Sequence, residues 1–316
     1  MCKTNQPKQI TMVRVRKRAQ LTGHNAAIFA IGPDVVPHRF LSAAGDGWIV
    51  RWDLKDPDTG RLIAKIDTQA FSLLYLEEAN RVVVGNMNGG IHWVDLDHPE
   101  HTRNIAHHQK GVFGLHRVGD FVYSIGGGGM LTRWDLHTAR SLESVRLANQ
   151  PLRCIAYNAD RRELAVGSSD NCIYLLDAET LQIRHRHRQA HDNSVFTIAY
   201  HPDGQHLLSG GRDAHLRIWH FDADHHLQAV AAKPAHWFTI NAIALDPQER
   251  WFATGSRDKT IKIWDAHTFE LVKVLETARD GCHVNSVNRL FWSPFQNELI
   301  SASDDRSMII WTVDEA

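Results

Sequence analysis

Three absences narrow the reading of this chain before any motif is considered. No segment reaches the ~18 consecutive apolar residues that a membrane-spanning helix needs, so no helical span is expected. Charge of one sign is missing too: 35 Lys and Arg stand against 36 Asp and Glu, a formal net charge of −1. No overall field therefore draws the molecule to nucleic acid or an anionic membrane. Cysteine is scarce. Cys2, Cys154, Cys172 and Cys282 show neither metal-ligand nor disulfide-framework spacing, and they read as free thiols of a reducing compartment. Cys154 and Cys172 fall in one repeat and could lie near each other. The first twenty residues carry positive charge but no apolar segment, so a secretory signal is not expected. Linkers, low-complexity runs and long helical patterns are missing as well. These absences predict a single folded unit, cytoplasmic, without a membrane or nucleic-acid partner.

What the chain does hold is a repeat. Trp251 to Glu276, WFATGSRDKTIKIWDAHTFELVKVLE, is its cleanest copy. Trp251–Thr254 is an apolar run stopped at Gly255, as a buried strand bounded by a turn would be. Thr260–Trp264 alternates, placing Ile261 and Ile263 on one sheet face and Lys262 on the other. Leu271–Leu275 alternates again, and Ile240–Ile243 supplies a further strand upstream. Four short antiparallel strands make a sheet too small to stand alone.

Aligned on Trp264, the same slot falls at Trp52, Val94, Trp134, Leu176, Trp219 and Trp311, at spacings of 40 to 47 residues. Six residues earlier stands Asp46, Asp170, Asp213, Asp258 or Asp305, with Asn88 and Gly128 in the remaining copies. Four residues before that slot lies a hydroxyl at Ser42, Ser124, Ser209, Thr254 and Ser301. A histidine opens most copies: His24, His108, His191, His236 and His283. In the second copy Asp67 is read at this slot, and in the fourth Ala148.

These residues, with Gly23-His24 and the dipeptides Trp52-Asp53, Trp134-Asp135 and Trp264-Asp265, resemble the WD-repeat β-propellers. The resemblance covers nearly the whole chain. It implies an all-β fold, one seven-bladed propeller over 1–316, with blades near 24–66, 67–107, 108–147, 148–190, 191–233, 234–278 and 279–316. The last would be completed by 11–18 pairing beside Met308–Thr312, which closes the ring and removes the open sheet edges. Copies two to four lack one or more of the repeated polar residues. They are expected to depend more on apolar packing and to exchange amide protons faster.

The Asp-His-Ser sets could be mistaken for a hydrolase triad. They recur as His24/Ser42/Asp46/Trp52, His191/Ser209/Asp213/Trp219, His236/Thr254/Asp258/Trp264 and His283/Ser301/Asp305/Trp311. Four equivalent copies point to architecture, and the resemblance implies buried hydrogen-bond chains in which every polar group is paired. No catalytic residue is assigned. Of the 21 histidines, none sits in a His-Glu-x-x-His pattern, and Cys-x-x-Cys is absent too. No metal or cofactor is expected. Gly126–Gly129 precedes a strand rather than a helix, so it reads as a turn and not a phosphate cradle. The basic runs Arg14–Arg18 and Arg184–Arg188 read as charged outer strands.

By the same resemblance, two positions per blade project around the channel mouth. One, just before the Asp slot, reads Gly45, Met87, Gly127, Ser169, Arg212, Arg257 and Asp304. The other reads Phe29, Ser72, Phe113, Arg153, Phe196, Asn241 and Asn288. Aromatic and arginine side chains dominate interface energetics. Phe29, Phe113, Arg153, Phe196, Arg212, Trp237, Arg257 and Asp304 are therefore the candidate partner-binding rim, suited to an acidic or amphipathic peptide. The expected function is a non-catalytic scaffold that binds peptide segments of partner proteins. Two alternatives are an enzyme with a channel-mouth site and a structural subunit of a larger complex.

Overall fold

The computed structural model describes residues 13–315. They form seven four-stranded antiparallel sheets, each a simple meander. Blade one runs through Ile28–Pro33, Arg39–Ala44, Trp48–Asp53 and Asp56–Lys65. The innermost strand of each blade packs against that of the next, and Val287–Ser293 of the seventh packs against Ile28–Pro33 of the first, so the ring is closed. No helix of the described residues is long and apolar enough to cross a membrane.

Closure is completed by Val13–Leu21, which pairs antiparallel with Met308–Glu315 and sets Arg16 opposite Thr312 and Leu21 opposite Met308. Residues 11 and 12 of the expected closing strand lie outside the described residues. Two of the basic residues on this strand are already engaged. The Arg18 guanidinium pairs with the fully buried Glu298 and donates to the Leu54 carbonyl, while Lys17 Nζ donates to the Gly281 carbonyl at 2.9 Å.

Hydrophobic cores lie between blades. Leu41 and Ile49 of blade one pack with Val82 and Val84 of blade two. Leu208 and Ile218 of blade five meet Phe252 and Trp264 of blade six. Sheets covered on both faces need strands apolar on both faces, which is why Arg39–Ala44 and Trp251–Ser256 are buried almost throughout. Cys154 and Cys172 join cores on opposite faces of blade four. They are not neighbours, because side chains of one sheet that face opposite ways are separated by its backbone.

Candidate functional site at the channel mouth

The repeated polar residues come together inside the blades. In blade five His191 Nδ1 lies 2.9 Å from Asp213, His191 Nε2 lies 2.7 Å from Ser209 Oγ, and the Trp219 indole donates to Ser209 at 2.8 Å. Blades one, six and seven carry the same chain of contacts at His24, His236 and His283. One proton arrangement satisfies every atom. The indole N–H donates to the hydroxyl oxygen, the hydroxyl donates to Nε2, and Nδ1–H donates to the carboxylate. Burial lowers the pKa of His24 and His236 against the raising effect of their aspartates, consistent with a neutral ring. Burial alone would raise Asp213, but the hydrogen bond from His191 and those from the Asp192 and His215 N–H groups outweigh it and hold the acid at about 2. The hydroxyls are completely buried, so no substrate reaches them.

Three blades depart from this pattern, each in its own way. Blade three keeps His108–Ser124–Trp134, with 2.8 Å contacts on both sides of the hydroxyl. Gly128 offers no carboxylate, His108 Nδ1 is buried without a partner among the described residues, and burial together with His107 pushes this imidazole down to about 4. Blade two builds a substitute from Asn86, whose amide lies 2.9 Å from His92 Nε2 and whose carbonyl accepts the Asn88 and Gly90 N–H groups. Blade four holds Asp170 through the Tyr174 hydroxyl at 2.6 Å and Arg186 at 2.9 Å. Blades two to four are expected to depend more on apolar packing, yet in blades two and four Asn86 and Asp170 find hydrogen-bond partners on their own strands.

The mouth of the channel is made by a backbone irregularity repeated seven times. Every innermost strand slips register by one residue near its start, between Ile28 and Ala30, Ala70 and Ser72, Val112 and Gly114, and onward around the ring. A bulge leaves one residue unpaired and re-aims its side chain. The seven unpaired residues are Phe29, Phe71, Phe113, Arg153, Phe196, Asn241 and Asn288, and together with Arg289 they line one cavity of about 200 Å³. Phe71 takes the place read as Ser72, and Ile66 the place read as Asp67. Blade two has no histidine from which to count, whereas the bulge fixes the register by pairing Ala70 with Asn86 as Ile28 pairs with Ala44.

Aromatic rings wall one side. Phe29 meets Phe71 edge-on at 5.0 Å and Phe71 stacks on Phe113 at 5.6 Å. The Arg153 guanidinium continues the wall, 4.7 Å from the Phe113 centroid and 5.1 Å from that of Phe196. Its Nε donates to Ser169 at 2.8 Å, and burial, with Arg212 nearby, lowers its pKa. Arg212 and Arg257 are exposed and do not line the cavity. Asp304 accepts a 2.7 Å hydrogen bond from Asn288. Trp237 is 88% exposed and Phe238 57%, which leaves an apolar patch on the loop after His236.

Three groups lie away from this mouth. Arg184 and Arg186 of the blade-four outer strand pair with Asp177 and Asp170. His201, Asp203 and His206 bring three ligand-type atoms within 4.8 Å of one another, as do His98, Glu100 and His101. Helical and Cys-based motifs do not cover the two histidine clusters, because their spacing belongs to turns. In the first, Asp203 Oδ1 accepts the Gln205 and His206 N–H groups and Oδ2 accepts from His206 at 2.6 Å, so the carboxylate is already committed to shaping its hairpin.

Comparison with known proteins agrees with this architecture. The family model described as WD domain, G-beta repeat matches residues 183–220, 228–265 and 269–312, a stretch that takes in three consecutive blades with complete hydrogen-bond sets. Transducin beta-like protein 3 of Rattus norvegicus is 23% identical over 325 residues, covering 93% of this chain and 40% of its own length. Small ribosomal subunit protein RACK1 of Schizosaccharomyces pombe is 30% identical over 141 residues, 43% of either chain. This chain thus spans less than half the length of these curated relatives. The WD40 beta propeller domain of Doa1 superposes with a TM-score of 0.81 at 18% identity, covering 95% of this chain and 97% of that one, a likeness of fold alone. Seven bulged, four-stranded blades, the repeated His–Ser/Thr–Asp–Trp chains and these matches identify the chain as a WD-repeat seven-bladed β-propeller.

Proposed function

We propose that the protein is a non-catalytic scaffold whose channel mouth and surrounding loops dock acidic peptide segments of partner proteins. The observation that carries this reading is the cavity itself: four phenylalanines and two arginines converge there, and among the described residues no carboxylate lines it. Arg212 and Arg257 extend the positive character onto the exposed rim, and Trp237 adds an exposed aromatic anchor beside it. A rigid ring presenting such loops binds by pre-organisation, with little ordering cost on the protein side. The relative named as a small ribosomal subunit protein works, by that name, within an assembly, which supports a scaffold role here.

The test is fluorescence anisotropy with a short labelled peptide alternating Glu, Gly and Phe, alongside its Gln and Lys counterparts. The acidic peptide is expected to bind, to weaken as salt screens the rim charges, and to lose about tenfold in affinity to Arg212→Glu/Arg257→Glu. Equal binding of all three peptides, or none, defeats the reading.

A further inference from the structure

One residue breaks the near-symmetry of the channel. Just below the mouth, the position after each bulge carries Ala30, Ser72, Gly114, Cys154, Thr197 and Ala242 in blades one to six, and Arg289 in blade seven. Six small side chains at one level leave space for a single long one. Ser72 reaches no farther than the neighbouring inner strand, donating to the Val112 carbonyl at 2.9 Å, and Thr197 likewise accepts the Ile243 N–H at 3.0 Å. Arg289 instead crosses the channel. Its Nε donates to the Phe29 carbonyl of blade one at 3.0 Å, and Nη2 lies 3.4 Å from the Phe113 carbonyl of blade three. It therefore lines both the mouth cavity and the cavity beneath it.

We infer that Arg289 is an anion-binding floor of the mouth and takes the carboxylate of a glutamate or aspartate side chain on the docked segment; this rests on the acidic-peptide reading above. Among the described residues, neither cavity that Arg289 lines contains an acidic residue, and its hydrogen-bond partners are the two carbonyls alone. A guanidinium enclosed by protein and not matched by an anion is costly, and a ligand carboxylate relieves that cost. Nη1 has no partner among the described residues, which leaves an edge of the guanidinium for a carboxylate to engage. The space above, about 200 Å³, admits a side chain. Its aromatic walls suit the methylene stem of such a side chain, while Arg153 and Arg289 repel a cationic one.

The experiment uses the full chain and the same acidic peptide, with each Glu replaced by Gln in turn, against wild type, Arg289→Gln and Arg289→Lys. One Glu position is expected to dominate in wild type, its Gln replacement costing about tenfold, and that penalty is expected to vanish in Arg289→Gln. Such coupling is a signature that a merely structural arginine would not produce. Arg289→Lys keeps the charge without the fork and is expected to fall between the two. Acetate is expected to compete with the peptide more strongly than chloride at equal ionic strength. If Arg289→Gln binds the peptide as wild type does while Arg212→Glu/Arg257→Glu weakens it, the rim reading survives and the floor assignment fails. If no variant and no wild type binds, both fail. Competition by inorganic phosphate without competition by acetate overturns the carboxylate assignment in favour of a free-anion site. Should Arg289→Gln not fold, the Glu-to-Gln scan on wild type and Arg289→Lys still decides, since equal penalties on both would defeat the assignment.

Discussion

His108 shows how much a single carboxylate matters. Its ring bonds Ser124 at 2.8 Å as the other network histidines bond their hydroxyls, yet among the described residues Nδ1 is buried without a partner because Gly128 stands where those blades have aspartate. A Cβ at Gly128 would meet only the Gln109 side chain, at an ordinary 3.7 Å or more, and the backbone there is not in the left-handed region. Gly128→Asp is therefore expected to stabilise the protein by about 1–2 kcal/mol, the worth of a charge-assisted hydrogen bond to a buried donor. It should also raise the His108 pKa from about 4. Urea denaturation and an NMR titration of the imidazole check the two effects, and an unchanged midpoint would refute the account.

At the level of the element, the strand Val13–Leu21 does more than add a ladder to the last blade. Arg18 supplies the counter-charge for Glu298, whose side chain has no exposure and whose pKa burial raises against the pull of Arg18. Truncating Arg18 leaves that carboxylate without its partner. Arg18→Ala is expected to cost about 3 kcal/mol, and adding Glu298→Gln should recover much of the loss, because a neutral amide tolerates the site better. A double-mutant cycle by chemical denaturation measures this, and purely additive losses would contradict it. The run Arg14–Arg18 was read as a charged edge strand, and the partners of Lys17 and Arg18 show two of its cations engaged within the ring. Those partners come from the opposite end of the chain.

For the whole molecule, the blades should not fail together in acid. His108 and His116, both in blade three, are pushed to about 4 by burial, against an unfolded value near 6.5. The unfolded chain then binds more protons than the fold between these values. The stability contributed by keeping them neutral is fully present above pH 6.5 and is lost as pH falls through 4, about 3 kcal/mol for His108. Asp213, held at about 2, acts in a lower window: its contribution is present above the ordinary aspartate value near 4 and is lost as pH falls through 2. Protection factors from hydrogen exchange, corrected for the intrinsic slowing of exchange between pH 7 and 5, are expected to fall first in blade three while those of blades five to seven hold. A uniform fall in protection around the ring would show that the ring opens as one unit.

The sevenfold repeat, the four-stranded blades and the closing strand were legible in the sequence, because each copy encodes the same short strands and turns through contacts made within some forty residues. The constant spacing of His24, Ser42, Asp46 and Trp52, and of their counterparts, is such a local pattern, and these side chains lie within hydrogen-bond distance in the fold. Phe71 was missed by one residue, since a bulge shifts the register without leaving a mark in composition. The partners that stand in for the missing histidine contacts, Tyr174 and Arg186 for Asp170 and His92 for Asn86, could not be foreseen either, because they depend on which side chains a strand pairing brings beside the turn. Arg289 looks in the sequence like any arginine on an alternating strand. Only ring closure sets it against the carbonyls of Phe29 and Phe113, 260 and 176 residues away. A repeat determines what each blade is, but what the channel holds depends on side chains from all seven blades meeting on one axis, and no local pattern encodes that meeting.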